Sequence, residues 1–218
     1  HMIKQIKAST SEKILFVFLI LLVIFSFSFV FIIKNKCLFV KNIDPTKINF
    51  KNPNNIVVMN VECGNVIIEL VPEISPISVK RFKHFIKNGS YNGSSFYRVI
   101  DNTLVQAGDL EYGNIDKINY YKVGSGQSKL GNLKSELNED YPFDEGTVAL
   151  ARGDELDTED SEFFIILKNI PLYKGEYTPL GKVIYGLDAL RKIKAGNKSE
   201  YVLRPDFINF FNLLEQYY

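Results

Sequence analysis

GNVIIELVPEISPISVKRFKHFIKNGSYNGSSFYRVIDNTLVQAGD, residues 64–109, reads as a strand, a helix and two more strands in succession. Val66–Val71 is rich in β-formers, and with Ile56–Val61 it flanks a short Gly-containing turn, which predicts a hairpin. Ser75 is a natural N-cap and Pro76 fits the first helical position. Val79, Phe82 and Ile86 follow helical spacing, and Asn88-Gly89 stops the helix. Strand-like runs follow at Ser95–Ile100 and Leu104–Ala107. Inside the first stands a lone arginine, Arg98, beside Phe96, Val99 and Ile100, where a plain buried strand needs only hydrophobes.

Working outward, strand-like runs recur at Thr147–Ala151, Phe163–Leu167 and around Gly181–Ile184. GLDALRKIKAG (186–196) reads as a second helix, with Leu187, Leu190 and Ile193 on one face and Gly196 ending it. The tail, residues 204–218, is expected to supply a closing strand. No internal repeat is present. Many short strands with two helices predict a closed, mostly antiparallel β structure with helical plugs. The chain has 218 residues, 46% of them hydrophobic, enough for one domain with a real core. Its formal charge of +1 carries no basic excess and argues against nucleic acid as a partner.

Ile14–Ile33, ILFVFLILLVIFSFSFVFII, is an uncharged apolar run. At about 1.5 Å per residue it crosses the roughly 30 Å hydrocarbon core of a bilayer. No Ala-x-Ala pattern follows, so the run reads as a signal anchor rather than a cleaved signal. The expected organisation is a short flank over 1–13 whose His1-Met2 resembles a cloning scar, a transmembrane helix over 14–33, a polar linker over 34–55 and a β-rich domain over 56–218. Lysines lie on both sides of the span, so the positive-inside rule fixes no orientation. The usual outcome for a signal anchor places the C-terminal part in the secretory pathway, lumenal or extracellular.

Several motifs are set aside. GSGQSKLG (124–131) lacks the Gly-Lys-Ser/Thr ending of a phosphate loop and reads as a flexible surface loop. GDELDTEDSE (153–162) lacks calcium-loop spacing and reads as a solvated acidic loop. Cys37 and Cys63 fit neither a Cys-x-x-Cys pair nor zinc spacing and are expected to be unpaired thiols. His84, the only internal histidine, supports no nucleophilic triad. No metal, nucleotide or other cofactor is expected.

The order of motifs resembles a cyclophilin, a peptidyl-prolyl cis–trans isomerase. Residues 64–109 are similar to that family's Gly-x-Ile-x-Ile/Phe-Glu-Leu, its Pro-x-Ser/Thr-Val helix, its Phe-His-Arg-Val-Ile and its Gln-Gly-Gly. GTVALARG (146–153), SEFFIIL (161–167) and PLGKVIYGLDALRKI (179–193) resemble later family segments in the same order, so the likeness runs from about residue 56 to 195. It implies an eight-stranded antiparallel barrel capped by two helices, with the active groove on its outer face.

The resemblance also assigns chemistry. Rotation about a peptide C–N bond faces a barrier of roughly 18–20 kcal/mol because the nitrogen lone pair is delocalised. A donor aimed at the prolyl nitrogen stabilises the twisted state and does little for the planar one. By resemblance Arg98 is that donor, with Gln106 beside it. Substrate-binding positions implied are Phe164, Leu104, Leu172, Glu162, Thr103, Ala151, Arg152 and Tyr177. Tyr97 stands where the family has His, Thr103 where it has a pocket Phe, Ala107 in place of a Gly, and Glu162 in place of a groove Gln. Arg152 replaces an Asn, Pro171 a large aromatic associated with cyclosporin binding, and Tyr177 a late His. Glu162 is expected either to pair with Arg98 and draw it from substrate, or to orient it. Two readings follow: an isomerase of Xaa-Pro bonds that assists folding, or a catalytically weak, membrane-tethered binding module holding a proline-containing partner. Cyclosporin binding is expected to be weak.

Overall fold

The computed structural model describes residues 9–196 and 199–217. The scar expected at His1-Met2 lies outside them. The chain forms two compact units, one up to Phe39 and one from Val40 onward.

The first unit is a helix, α1 (Thr10–Lys34), opened by a capping box in which Glu12 N–H donates to Ser9 Oγ at 3.2 Å and Ser9 N–H to Glu12 Oε2 at 2.6 Å. Within Thr10–Ile32 an 18-residue window has a mean hydropathy of 3.1, and none of that window is buried. The hydroxyl of Ser26 donates to the Leu22 carbonyl at 2.8 Å, so this polar group is satisfied within the helix itself. The helix is long and apolar enough to cross a bilayer.

The second unit is an eight-stranded antiparallel sheet. Its strands are β1 (Ile56–Val61), β2 (Gly64–Leu70), β3 (Arg98–Ile100), β4 (Leu104–Ala107), β5 (Thr147–Leu150), β6 (Phe163–Ile166), β7 (Pro179–Tyr185) and β8 (Phe210–Leu213). Their order is β3-β4-β6-β5-β7-β2-β1-β8. The outer edge of β3 is not left open. Val99 N–H donates to Glu200 O at 2.8 Å, Val202 N–H to Tyr97 O at 2.9 Å, and Phe96 N–H to Asp206 O at 2.9 Å. The same chain segment then runs on into β8, which pairs with β1, so the sheet curls round to cover its own edge.

Both faces of the sheet are buried over much of its area, which is why strands such as IVVMNV are nearly continuous apolar runs rather than alternating ones. Inside, Phe163 packs in an aromatic cluster with Phe82, Tyr91 and Phe211, at centroid distances of 5.2, 5.3 and 6.0 Å. Outside, Ile56, Val58 and Ile67 form a second cluster. Residues 40–55, linker-like in composition, also pack there through Ile43, Ile48 and Phe50, and Asn65 N–H donates to Asn42 Oδ1 at 3.0 Å.

Helix α2 (Pro76–Lys87) starts where expected and buries Val79, Phe82, Phe85 and Ile86. Ser75 sits at its N-cap, but its hydroxyl donates to the Pro179 carbonyl instead. The cap comes from a distant residue: Glu136 accepts from Ile77 N–H at 3.2 Å and Ser78 N–H at 2.7 Å. The second expected helix is shorter than its periodicity predicts. Only α3 (Leu187–Leu190) is α-helical; beyond it Lys192 and Ile193 N–H donate three residues back, to Ala189 O and Leu190 O at 3.2 and 3.1 Å, and Lys194 N–H donates to the Asp206 carboxylate at 2.7 Å. The chain ends in the expected strand β8, followed by one helical turn, α4 (Leu214–Tyr217).

Three expectations need correction. Cys37 and Cys63 are not free thiols; both are disulfide-bonded. Spacing along the chain carries no information about a pairing set by the fold. The acidic stretch 153–162 is not simply solvated. Glu159 is fully buried, accepting from Ser135 Oγ at 2.8 Å and Thr178 Oγ1 at 3.2 Å, and Asp160 is buried beside Arg81 at 3.2 Å. Nor is the glycine-rich segment 124–131 a free surface loop. Buried Asp109 accepts from Gly124 N–H at 2.8 Å and Gly126 N–H at 3.2 Å. A Cβ at position 126 would lie 2.1 Å from Asp109 Oδ1, so only glycine fits that approach.

Candidate active site

The outer face of the barrel carries one row of directly opposed residues. Arg98 on β3 pairs with Gln106 on β4, Gln106 with Phe164 on β6, and Phe164 with Ala149 on β5. On the far side an isolated bridge joins Arg98 to Tyr201. Opposed residues in antiparallel strands point to the same face, so positions far apart in sequence line one surface. Period-two alternation sends Phe163 inward and Phe164 outward.

Phe164 anchors an external apolar cluster with Leu104, Phe143, Ala149 and Ile166, against which Ala151, Tyr173 and Tyr177 pack. The rings of Phe164, Tyr173 and Tyr177 meet at 5.8, 5.0 and 4.8 Å. Above them opens a cavity of about 220 Å³ whose walls include Arg98, Leu104, Gln106, Phe164, Tyr173 and Tyr177. It shares Gln106, Gly124, Ala151 and Arg152 with a neighbouring cavity of about 290 Å³ that the loop 124–127 and Glu162 also line. An aromatic floor with the Arg98 guanidinium on its rim can hold a proline ring and place a donor beside it.

Of the expected positions, Arg98, Gln106, Phe164, Leu104, Ala151, Arg152 and Tyr177 come together round the first cavity. Two do not. Leu172 is 85% exposed on a short turn, and its neighbour Tyr173 forms the wall instead. Thr103 lies outside both cavities, its hydroxyl donating to Asp101 O at 3.0 Å.

Arg152 is tied to its own loop. It donates to the carbonyls of Glu176, Gly153 and Asp154 at 3.0, 3.0 and 3.1 Å, and its guanidinium stacks 5.2 Å from the Tyr177 ring centre. That contact fixes the ring in the wall.

Arg98 has different surroundings. Its Nη1 donates to Gln106 Oε1 at 2.9 Å, and its Nε donates to Glu200 Oε2 at 2.6 Å. Among the described residues no hydrogen bond or ion pair joins it to Glu162. Glu162 instead accepts from Tyr97 OH and, at 3.1 Å, from Gln106 Nε2, which also donates to Tyr97 OH at 2.5 Å. Burial raises the Glu162 carboxyl to about 7, with the bonds from Tyr97 and Gln106 opposing that rise. Burial likewise raises the Tyr97 phenol, with the Glu162 charge adding to it, so Tyr97 stays protonated and donating. Glu162 is thus linked to Arg98 through Gln106. Glu200, Tyr201 and Tyr173 were not singled out in the sequence; the first two belong to a long irregular segment whose pairing with β3 has no local signature.

The family model for "Cyclophilin type peptidyl-prolyl cis-trans isomerase/CLD" matches residues 56–209. A "Probable peptidyl-prolyl cis-trans isomerase" of Brucella suis is 39% identical over 160 residues, covering 72% of this chain and 81% of its own. A peptidyl-prolyl cis-trans isomerase of Acinetobacter baylyi is 33% identical, covering 68% and 76%. Among solved structures, a Cryptosporidium parvum cyclophilin crystallised in the presence of the dipeptide Ala-Pro superposes with a TM-score of 0.62 at 24% identity, covering 72% of this chain and 98% of its own. The chain belongs to the cyclophilin-type peptidyl-prolyl cis–trans isomerases, and its reaction is the rotation of Xaa-Pro peptide bonds.

Proposed function

We propose that the chain is a membrane-anchored isomerase that assists the folding of proline-containing polypeptides, with Arg98 as its catalytic residue. The observation that carries this reading is the shared row of Arg98, Gln106 and Phe164 on the wall of one cavity. A proline ring seated on Phe164, Tyr173 and Tyr177 brings its nitrogen toward the guanidinium. As the C–N bond twists, the nitrogen lone pair localises and accepts from Arg98. The stabilisation grows toward the transition state, where it accelerates the rotation. Gln106 fixes the guanidinium, and Leu104 and Ala151 border the ring.

We favour this reading over the alternative, a catalytically weak membrane-tethered binding module, because Glu162 bonds to Tyr97 and Gln106, and because Tyr173 and Tyr177 join Phe164 in the wall. The reading is tested by titrating the protein with an Ala-Pro peptide while following the ring signals of Phe164, Tyr173 and Tyr177. Shifts in all three support it; shifts confined to other residues contradict it.

α1 serves as the anchor in this proposal, with 1–13 as its flank and the isomerase domain following. Disulfides persist in oxidising compartments, so the bonded state of Cys37 and Cys63 supports a lumenal or extracellular domain. Protease added to sealed membrane vesicles from the secretory pathway should leave the domain intact until the membrane is opened.

A further inference from the structure

A guanidinium has five N–H bonds. Among the described residues, Gln106 Oε1 takes one from Nη1 of Arg98. Glu200 Oε2 lies 2.6 Å from Nε and 2.6 Å from Nη2, so a single carboxylate oxygen spans the opposite edge of the group. Two N–H bonds remain for a substrate. The guanidinium is therefore gripped from two sides by acceptors on two different strands of backbone.

The second grip is built into the sheet. Val99 N–H donates to the Glu200 carbonyl at 2.8 Å, and Arg98 and Tyr201 form a backbone bridge. The base of the Glu200 side chain is thus held by the same strand that carries Arg98. The Arg98 side chain is 27% exposed and that of Glu200 50%. An ion pair so open to water adds little to stability. What it does add is geometry: without it, Gln106 alone would fix one corner of a group at the end of a long flexible side chain.

We propose that Glu200 is a positioning residue for the isomerase reaction, holding the Arg98 guanidinium in the plane that serves the prolyl nitrogen. This rests on the reading of Arg98 as the catalytic donor. The carboxylate touches no reacting atom; it acts through Arg98 by fixing its Nε–Nη2 edge.

The test uses the full chain in detergent micelles and follows cis–trans exchange of an Ala-Pro peptide by NMR for wild type, Glu200→Ala, Glu200→Gln and Arg98→Ala. Glu200→Ala is expected to lower kcat about tenfold with KM little changed, the size of loss that a misplaced catalytic group produces. Glu200→Gln keeps an acceptor and should recover part of that loss. The Arg98 Nε–H proton resonance should move in both. In the Arg98→Ala background, Glu200→Ala should cause no further loss, whereas a general structural role would still lower the rate. A kcat for Glu200→Ala at or above wild type, with Arg98→Ala inactive, overturns the proposal alone. Unchanged activity in Arg98→Ala overturns the underlying reading instead. If Glu200→Ala does not fold, a Glu200→Gln variant with wild-type kcat and an unmoved Nε–H resonance overturns the proposal.

Discussion

Gln106 stands between Arg98 and Glu162 and binds both: its Oε1 accepts from Arg98 Nη1 at 2.9 Å, and its Nε2 donates to Glu162 Oε2 at 3.1 Å. The carboxylate fixes which way the amide faces, because only the NH2 end can donate to it. The carbonyl end is then left for the guanidinium. Gln106→Leu removes both bonds while keeping similar bulk. We expect a loss of about tenfold in kcat, with the Ala-Pro peptide still bound, read by NMR exchange. An unchanged kcat would show that the amide does not orient Arg98.

Glu162 links the site to pH. Burial puts its carboxyl at about 7 in the folded protein, against an ordinary value of 4.5. The folded state thus binds this proton more tightly than the unfolded state does. The resulting stability is fully present below about pH 4.5 and is lost as pH rises through about 7. Wild type should therefore lose up to about 3 kcal/mol relative to Glu162→Gln between pH 4.5 and 8. Urea unfolding of both proteins at pH 5 and pH 8 measures it. A stability gap between them that is the same at both pH values would contradict this account.

Phe164 and Tyr173 share a wall but not a burden. Phe164 is 4% exposed within the external core cluster, so Phe164→Ala should cost about 3–5 kcal/mol of stability as well as substrate affinity. Tyr173 is only partly buried at the rim. Tyr173→Ala should raise KM several-fold with a much smaller effect on unfolding. Thermal melts and peptide titrations separate the two.

Cyclosporin should bind weakly. The expectation from Pro171 is strengthened by composition, since the chain contains no tryptophan and no indole N–H can be offered at any rim position. Calorimetric titration is expected to give no tight complex; low-nanomolar inhibition of isomerisation would sink the prediction.

The strands, the first helix and the Arg98–Gln106–Phe164 row were legible because they depend on local pattern and ordered motifs. β1 and β4 fall on the expected residues. What escaped depends on contacts between distant segments. Glu136 capping α2, Asp109 holding Gly124 and Gly126, and Glu200 reaching Arg98 join positions 15 to 102 residues apart. No spacing rule ties a carboxylate to a partner that far along the chain. At the turn Pro171–Tyr173 it is Tyr173 that lines the cavity while Leu172 is exposed, and a short irregular turn has no periodicity from which to read which side chain faces inward.

The central claim is that one guanidinium drives the rotation, and the most direct measurement is cis–trans exchange of an Ala-Pro peptide by the full chain, wild type beside Arg98→Ala and Arg98→Lys. We predict clear catalysis by wild type, a loss of about a hundredfold or more in Arg98→Ala, and little recovery in Arg98→Lys, whose ammonium lacks the two-edged fork that Gln106 and Glu200 hold. Catalysis by Arg98→Ala at the wild-type rate would contradict the account.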